Sequence, residues 1–149
     1  MNEYPEEFYR GISSPNDITE NGYVTAGAFQ FDQYDSQRGD EYCELSVNWN
    51  DNKDALQVLL DQHKPHKDDK QFKGGYCTIN RTFLNNTFKA YMDSKEFSYE
   101  RRPVEASEEN DYQVNLYHGN LLMKNTLDKQ VKKNIQHTLA FMAGLAIRR

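Results

Sequence analysis

The sequence predicts an α+β fold: a mainly antiparallel sheet of five or six strands, one short helix, and a long carboxy-terminal helix packed on one face. Three observations predict it. Residues 41–49 alternate cleanly, with Cys43, Leu45, Val47 and Trp49 on one side and Tyr42, Glu44, Ser46 and Asn48 on the other. From Asn125 or Thr126 onward, Leu127, Val131, Ile135, Leu139, Met142 and Ala146 recur at three- and four-residue spacing, a helical stripe about six turns long that Phe141 and Leu145 are expected to widen. The length is that of a single domain over 1–149, since two cores in 149 residues would each sit near the lower limit for unaided folding.

Each remaining element follows from local chemistry. Glu6 to Ile12 reads as an opening strand stopped by Ser13, Ser14 and Pro15, with a one-turn or irregular segment up to Asn21-Gly22. That Asn-Gly turn introduces Tyr23 to Phe31, whose Thr, Val, Phe and Tyr content suits a strand. Asp32 to Asp40 is polar and should connect. After the strand at 41–49, Asp51 is a candidate cap for a short helix carrying Leu56, Leu59, Leu60 and His63, ended by Pro65. His63 to Lys73 reads as a solvated loop, closed by Gly74-Gly75. Tyr76 to Leu84 resumes strand alternation and places Arg81 among Cys77, Ile79 and Phe83. Phe88 to Met92 fits either a strand or a helical turn. Glu96 to Val104 reads as a strand that Pro103 puts at an edge or an end, and Ala106 to Asp111 as an acidic loop. Tyr112 to His118 alternates again, with Val114, Leu116 and His118 on one side and Gly119 breaking the pattern.

Composition bounds the function. A hydrophobic fraction of 37% and a mean hydropathy of −0.96 would suit a poorly folding chain, but ten Tyr, eight Phe and one Trp supply large buryable surfaces. The expectation is a folded protein with a thin core. No apolar run is long enough to span a membrane and the first ten residues are acidic and polar, so a cytoplasmic protein without membrane attachment is expected. Two cysteines cannot build a disulfide framework. The net charge of −5 hides an asymmetry: the segment from Lys124 onward carries +5 and the preceding part −10. Such a basic terminal element is drawn to the acidic body or to another acidic surface.

Specific chemistry is sparse. Cys43, His63, His66 and Cys77 lack the close ligand pairs of a zinc site, so no metal and no cofactor is expected. Nucleic acid is disfavoured by the acidic body; the best patch for it is Phe97, Tyr99, Arg101 and Arg102. The phosphate-cradling glycine loops and the nucleophile elbow are absent. What remains is Arg10, Ser46, Arg81 and His118, all placed in or at the ends of expected strands. An arginine fork can hold a phosphate or carboxylate and a histidine can exchange a proton near neutrality. Arg10 and His118 are thus candidate catalytic residues, with Arg81 and Ser46 as candidate ligand contacts for nucleotide-like or phosphodiester chemistry.

Tyr9-Arg10-Gly11, the Asn-Gly turn and a later strand bearing Ser46 resemble the opening of ADP-ribosyltransferases that use an arginine, a serine and a glutamate. The resemblance covers about a third of the chain. Ser46-Val47-Asn48 departs from the Ser-Thr-Ser pattern of those enzymes and no Glu-x-Glu follows, so their central catalytic residue has no counterpart.

The leading expectation is therefore a small intracellular accessory protein, bacterial or phage in compositional style, that acts through a protein partner or through self-association. Lys129, Lys132 and Lys133 on the last helix are its candidate partner-binding residues. The alternative is a nucleotide- or phosphodiester-directed enzyme or binder using Arg10, Arg81 and His118.

Overall fold

The computed structural model describes residues 6–31, 41–62, 70–105 and 114–148. Its centre is a five-stranded, wholly antiparallel sheet of β1 (Glu7–Ile12), β2 (Tyr42–Trp49), β3 (Gly75–Asn80), β4 (Phe97–Arg101) and β5 (His118–Lys124), in the order β3-β1-β2-β5-β4. The helices are α1 (Asp54–Leu60), α2 (Arg81–Thr87), α3 (Lys89–Asp93) and α4 (Lys129–Ala143), with 3₁₀ turns at Pro15–Asp17 and Ala26–Phe29. The expected α+β architecture is what the chain adopts.

Register defines the two faces. Phe8 opposes Trp49 and Ile79, Leu45 opposes Leu121, and Phe97 opposes Met123. These side chains share one face because directly paired residues point the same way. They are buried in one core cluster with Ile135, Leu139 and Ala140 of α4, Leu84 of α2, and Ala28 and Phe29. On this helical face Phe8, Trp49 and Tyr99 form an aromatic group with centroids 4.7 to 5.7 Å apart. The opposite, polar face carries Glu44, Ser46, Asn48, Glu100, His118 and Asn120. Its β1–β2 end is covered by α1 and by Phe72, which lies against Gly11 where a Cβ would collide with the ring.

Several elements differ from expectation, each for a local reason. Tyr23 to Phe31 is not a strand. Small residues there allow a 3₁₀ turn to pack closely on α4, burying Ala28 and Phe29, and only isolated bridges form at Tyr23 and Val24. The helix after β2 starts at Asp54 rather than near Asp51, because Asn52 Oδ1 accepts from the Asp54 N–H at 2.8 Å. The strand expected over 76–84 ends at Asn80, whose Oδ1 accepts from the Phe83 N–H at 2.9 Å and starts α2. Arg81 is thus the first residue of a helix and not a member of an apolar strand face. Phe88–Met92 resolves as helix, within α3 and its cap. Phe72, in a loop expected to be solvated, is buried.

Gly119 does not break a strand; it sits inside β5. Its missing Cβ leaves room for the Trp49 indole, which lies directly on the glycine backbone beside the Glu100 carbonyl. β5 is a central strand, and Gly119 to Met123 are all buried, so neither side of it reads as polar. Val114 and Leu116, expected to face the core, are exposed. α4 is shorter than the sequence stripe: it has 15 residues and stops at Gly144, whose φ of 64° lies in the left-handed region. The chain then runs extended, with Leu145 bridging Tyr23 and Ile147 bridging Tyr76 on the outer edge of β3. The expected loops at 32–40 and 106–111, and residues 63–69 of the expected loop from His63 to Lys73, lie outside the described residues.

Candidate functional site

Arg10 sits on the helical face, where β1 and β2 part company. These strands are in register only at Phe8–Trp49 and Tyr9–Asn48. Beyond that point Arg10 fills the opening: Nε donates to the Ala28 carbonyl at 3.0 Å and a terminal nitrogen donates to the Ser46 carbonyl at 2.9 Å. Its fork therefore joins β1, β2 and the 3₁₀ turn through backbone oxygens. Cys77 opposes Arg10 on β3; burial pushes its thiol up to about 12, with the Arg10 charge acting the other way. A thiol that weakly acidic is not a nucleophile at neutral pH.

The other three candidates lie elsewhere. The Ser46 side chain is exposed on the polar face, opposite to the Arg10 guanidinium, so only its carbonyl meets Arg10. His118 opposes Asn48, also on the polar face, and is half-buried. Its Nδ1 lies 2.8 Å from the Arg102 carbonyl, and since a carbonyl only accepts, that nitrogen carries the proton. Burial lowers the imidazole pKa below its usual 6.5, and outweighs the opposing backbone hydrogen bond to Arg102. Arg81 lies at the far end of β1, its N–H bound to the Glu6 carbonyl at 2.7 Å, four register rows or about 13 Å from Arg10. Arg10 and Ser46 are neighbours through one carbonyl; Arg10, Arg81 and His118 are not brought together.

The expected base-stacking patch is part of the core on its aromatic side. Phe97 is fully buried against Phe88, and the Tyr99 hydroxyl donates to Asn85 Oδ1 at 2.8 Å. Arg101 lies 4.9 Å over the Trp49 ring and pairs with both oxygens of Asp51 at 2.6 Å.

A polar network that sequence reading missed lies on the other face. Asn115 Nδ2 donates to Asn48 Oδ1 at 2.7 Å, and Asn48 Nδ2 donates to the Ala55 carbonyl at 3.1 Å. Both asparagines are buried, and together they join α1, β2 and the segment before β5. Asn48 sits on the polar side of a clean strand, which gave no hint that α1 would cover it. Next to them Asn120 is buried, with Glu44 Oε2 3.4 Å from its amide nitrogen; Arg102 reaches the same carboxylate at 3.5 Å. The network ties elements together and presents no open cleft. Among the described residues, no three His, Cys, Asp or Glu side chains gather as a metal centre requires.

Two exposed surfaces stand out. The first is the outer side of α4. Lys133 lies two residues from the buried Ile135, a rotation of about 200° at about 100° per residue, so it faces away from the sheet. Lys129, Lys133, His137 and Phe141 follow one another at four-residue spacing, all exposed. Phe141 is 81% exposed, and Leu145, at 59%, continues the line beyond the helix beside the exposed Tyr23. Lys132 differs from its neighbours, because its ammonium donates to the Asn125 carbonyl at 2.6 Å and braces the turn before the helix. The second surface is a groove of about 440 Å³ between α1 and residues 114–117, lined by Asp54, Gln57, Val58, Asp61, Val114 and Leu116. No family model, curated protein or solved structure matches the chain.

Proposed function

We propose that this protein is a small cytoplasmic accessory protein that works by binding another protein through the outer side of α4. The observation that carries the reading is Phe141: a phenylalanine 81% exposed, followed by exposed Leu145, which bridges exposed Tyr23. Aromatic side chains at the centre of a patch are the usual anchors of an interface, and the surrounding cations set which partners are accepted. Lys129 and Lys133 supply those cations, while Lys132 holds the helix start. A nucleotide site on Arg10, Arg81 and His118 draws no support from their placement, since they lie on different faces or at different ends of the sheet.

The test is affinity capture from the native cell with four tagged baits: wild type, Phe141→Asp, Lys129→Glu with Lys133→Glu, and His118→Ala. A partner that follows wild type and His118→Ala but is lost with the two α4 variants is the expected result. A partner retained equally by all four, or a nucleotide that raises the melting temperature through Arg10, would refute the reading.

A further inference from the structure

We infer that the occupant of the outer α4 surface is a second copy of this chain, docked head to tail: the Lys133–Phe141 line of one copy enters the α1 groove of the next. The inference rests on the preceding reading of α4 as the binding surface and names its partner.

The two surfaces match in chemistry. The line presents cations followed by large apolar side chains, and α4 contains no carboxylate between Lys129 and Ala143. The groove presents the reverse, with carboxylates at Asp54 and Asp61 and an apolar floor of Val58, Val114 and Leu116. Leu116 is 57% exposed, so the groove offers apolar area that water covers in the single chain. Its volume of about 440 Å³ is enough to take the Phe141 ring with room for a neighbour. Dimensions agree as well. Asp54 and Asp61 are seven residues apart along α1, about 10 Å, and Lys133 and Phe141 are eight apart along α4, about 12 Å. A phenylalanine seated on Val58 and Leu116 therefore brings a lysine two turns away within reach of a groove carboxylate. Asp61 already meets Gln57 Nε2 at 2.9 Å and Lys70 at 3.7 Å, but these are exposed contacts that exchange at small cost.

Geometry and charge choose the head-to-tail arrangement over a symmetric one. An α4-to-α4 pairing about a two-fold axis would oppose Lys129 and Lys133 to their own copies without a carboxylate in α4 to relieve them. The line lies on the helical side of the sheet. α1 lies on the polar side, where Asn48 binds the Ala55 carbonyl. Donor and acceptor surfaces on opposite sides cannot satisfy each other within one molecule or one symmetric pair, so each added copy leaves one surface free. The +5 terminal segment and the −10 remainder of the chain favour the same polarity.

The test is sedimentation velocity on the purified full chain over a wide concentration range, with Phe141→Asp altering the line and Leu116→Asp altering the groove. Both side chains are exposed, and circular dichroism with thermal melting verifies that each variant folds. Wild type is expected to grow in mass with concentration, and each variant alone to lose at least tenfold in association constant. An equimolar mixture of the two variants should form a one-to-one dimer that grows no further, since only one intact line and one intact groove remain. Asp54→Lys mixed with Lys133→Glu tests the charges separately: each variant alone should associate weakly, and the mixture should regain growth in alternation, because both junctions then pair a cation with a carboxylate. A wild-type chain that stays monomeric, a variant that assembles as wild type does, or a mixture of monomeric variants that stays monomeric would each overturn the inference. A monomeric wild type that still captures another protein through Phe141 would overturn self-association and leave the function reading standing. Capture indifferent to Phe141→Asp would sink the function reading itself.

Discussion

Gly119 shows how much a single position can hold. It is the one place in β5 where the Trp49 indole can cross the sheet surface toward Tyr99, and any side chain would strike the indole and the Glu100 carbonyl. Gly119→Ala is expected to destabilise the fold by about 2 kcal/mol, read as a lower urea midpoint with an unchanged slope. His118 is a second residue whose environment sets a measurable property. Its pKa is lowered in the folded state by burial, so the unfolded chain takes up a proton first as pH falls. Stability is therefore complete above the ordinary value of about 6.5 and is lost as pH drops through the lower folded value. Comparing urea midpoints at about pH 7 and about pH 5, wild type should lose more stability than His118→Gln. At this scale the sequence singled out Arg10, Ser46, Arg81 and His118 in or at the ends of strands; Arg81 instead opens a helix, and His118 lies with Ser46 on the polar face. It did not show what they touch, because the fork of Arg10 and the ring of His118 end on backbone carbonyls contributed by distant segments.

At the scale of elements, legibility followed the strength of the local pattern. β2 was readable to within a residue because its two sides stay chemically distinct over eight positions. β5 was not, because a strand buried on both sides has no alternation, and its glycine looked like punctuation. The 3₁₀ turn at Ala26–Phe29 was hidden by the opposite error: β-favouring neighbours outweighed the small residues that let the turn approach α4. Asn80 was the missed signal for α2, a polar side chain placed three residues before the amide it caps. Asn80→Ala should cost about 1 kcal/mol in a urea titration, with the loss of helical signal confined to a small fraction of the whole. The end of α4 was overrun because the apolar spacing continues through Ala146, although Gly144 had already turned the backbone.

Across the whole molecule, the charge layout was visible from the start and the binding surfaces only half so. Lys129, Lys132 and Lys133 of the basic terminal segment lie in one helix, and the four-residue spacing of Lys129 and Lys133 is written in consecutive sequence. The α1 groove joins residues near 54–61 to residues near 114–117, and no local pattern marks such a juxtaposition. Folding turns Val114 and Leu116 outward because the segment before β5 is held by its bridge to Val104 and by Asn48 rather than by core packing. Among the described residues, the outer side of α4 and this groove are then apolar features that water covers when the chain is alone. Hydroxyl-radical footprinting of the chain, free and in its assembled state, reads that coverage directly at Phe141. Labelling of Phe141 should fall several-fold on assembly, with matching protection at Leu116; undiminished labelling of Phe141 in a complex protected elsewhere would contradict it.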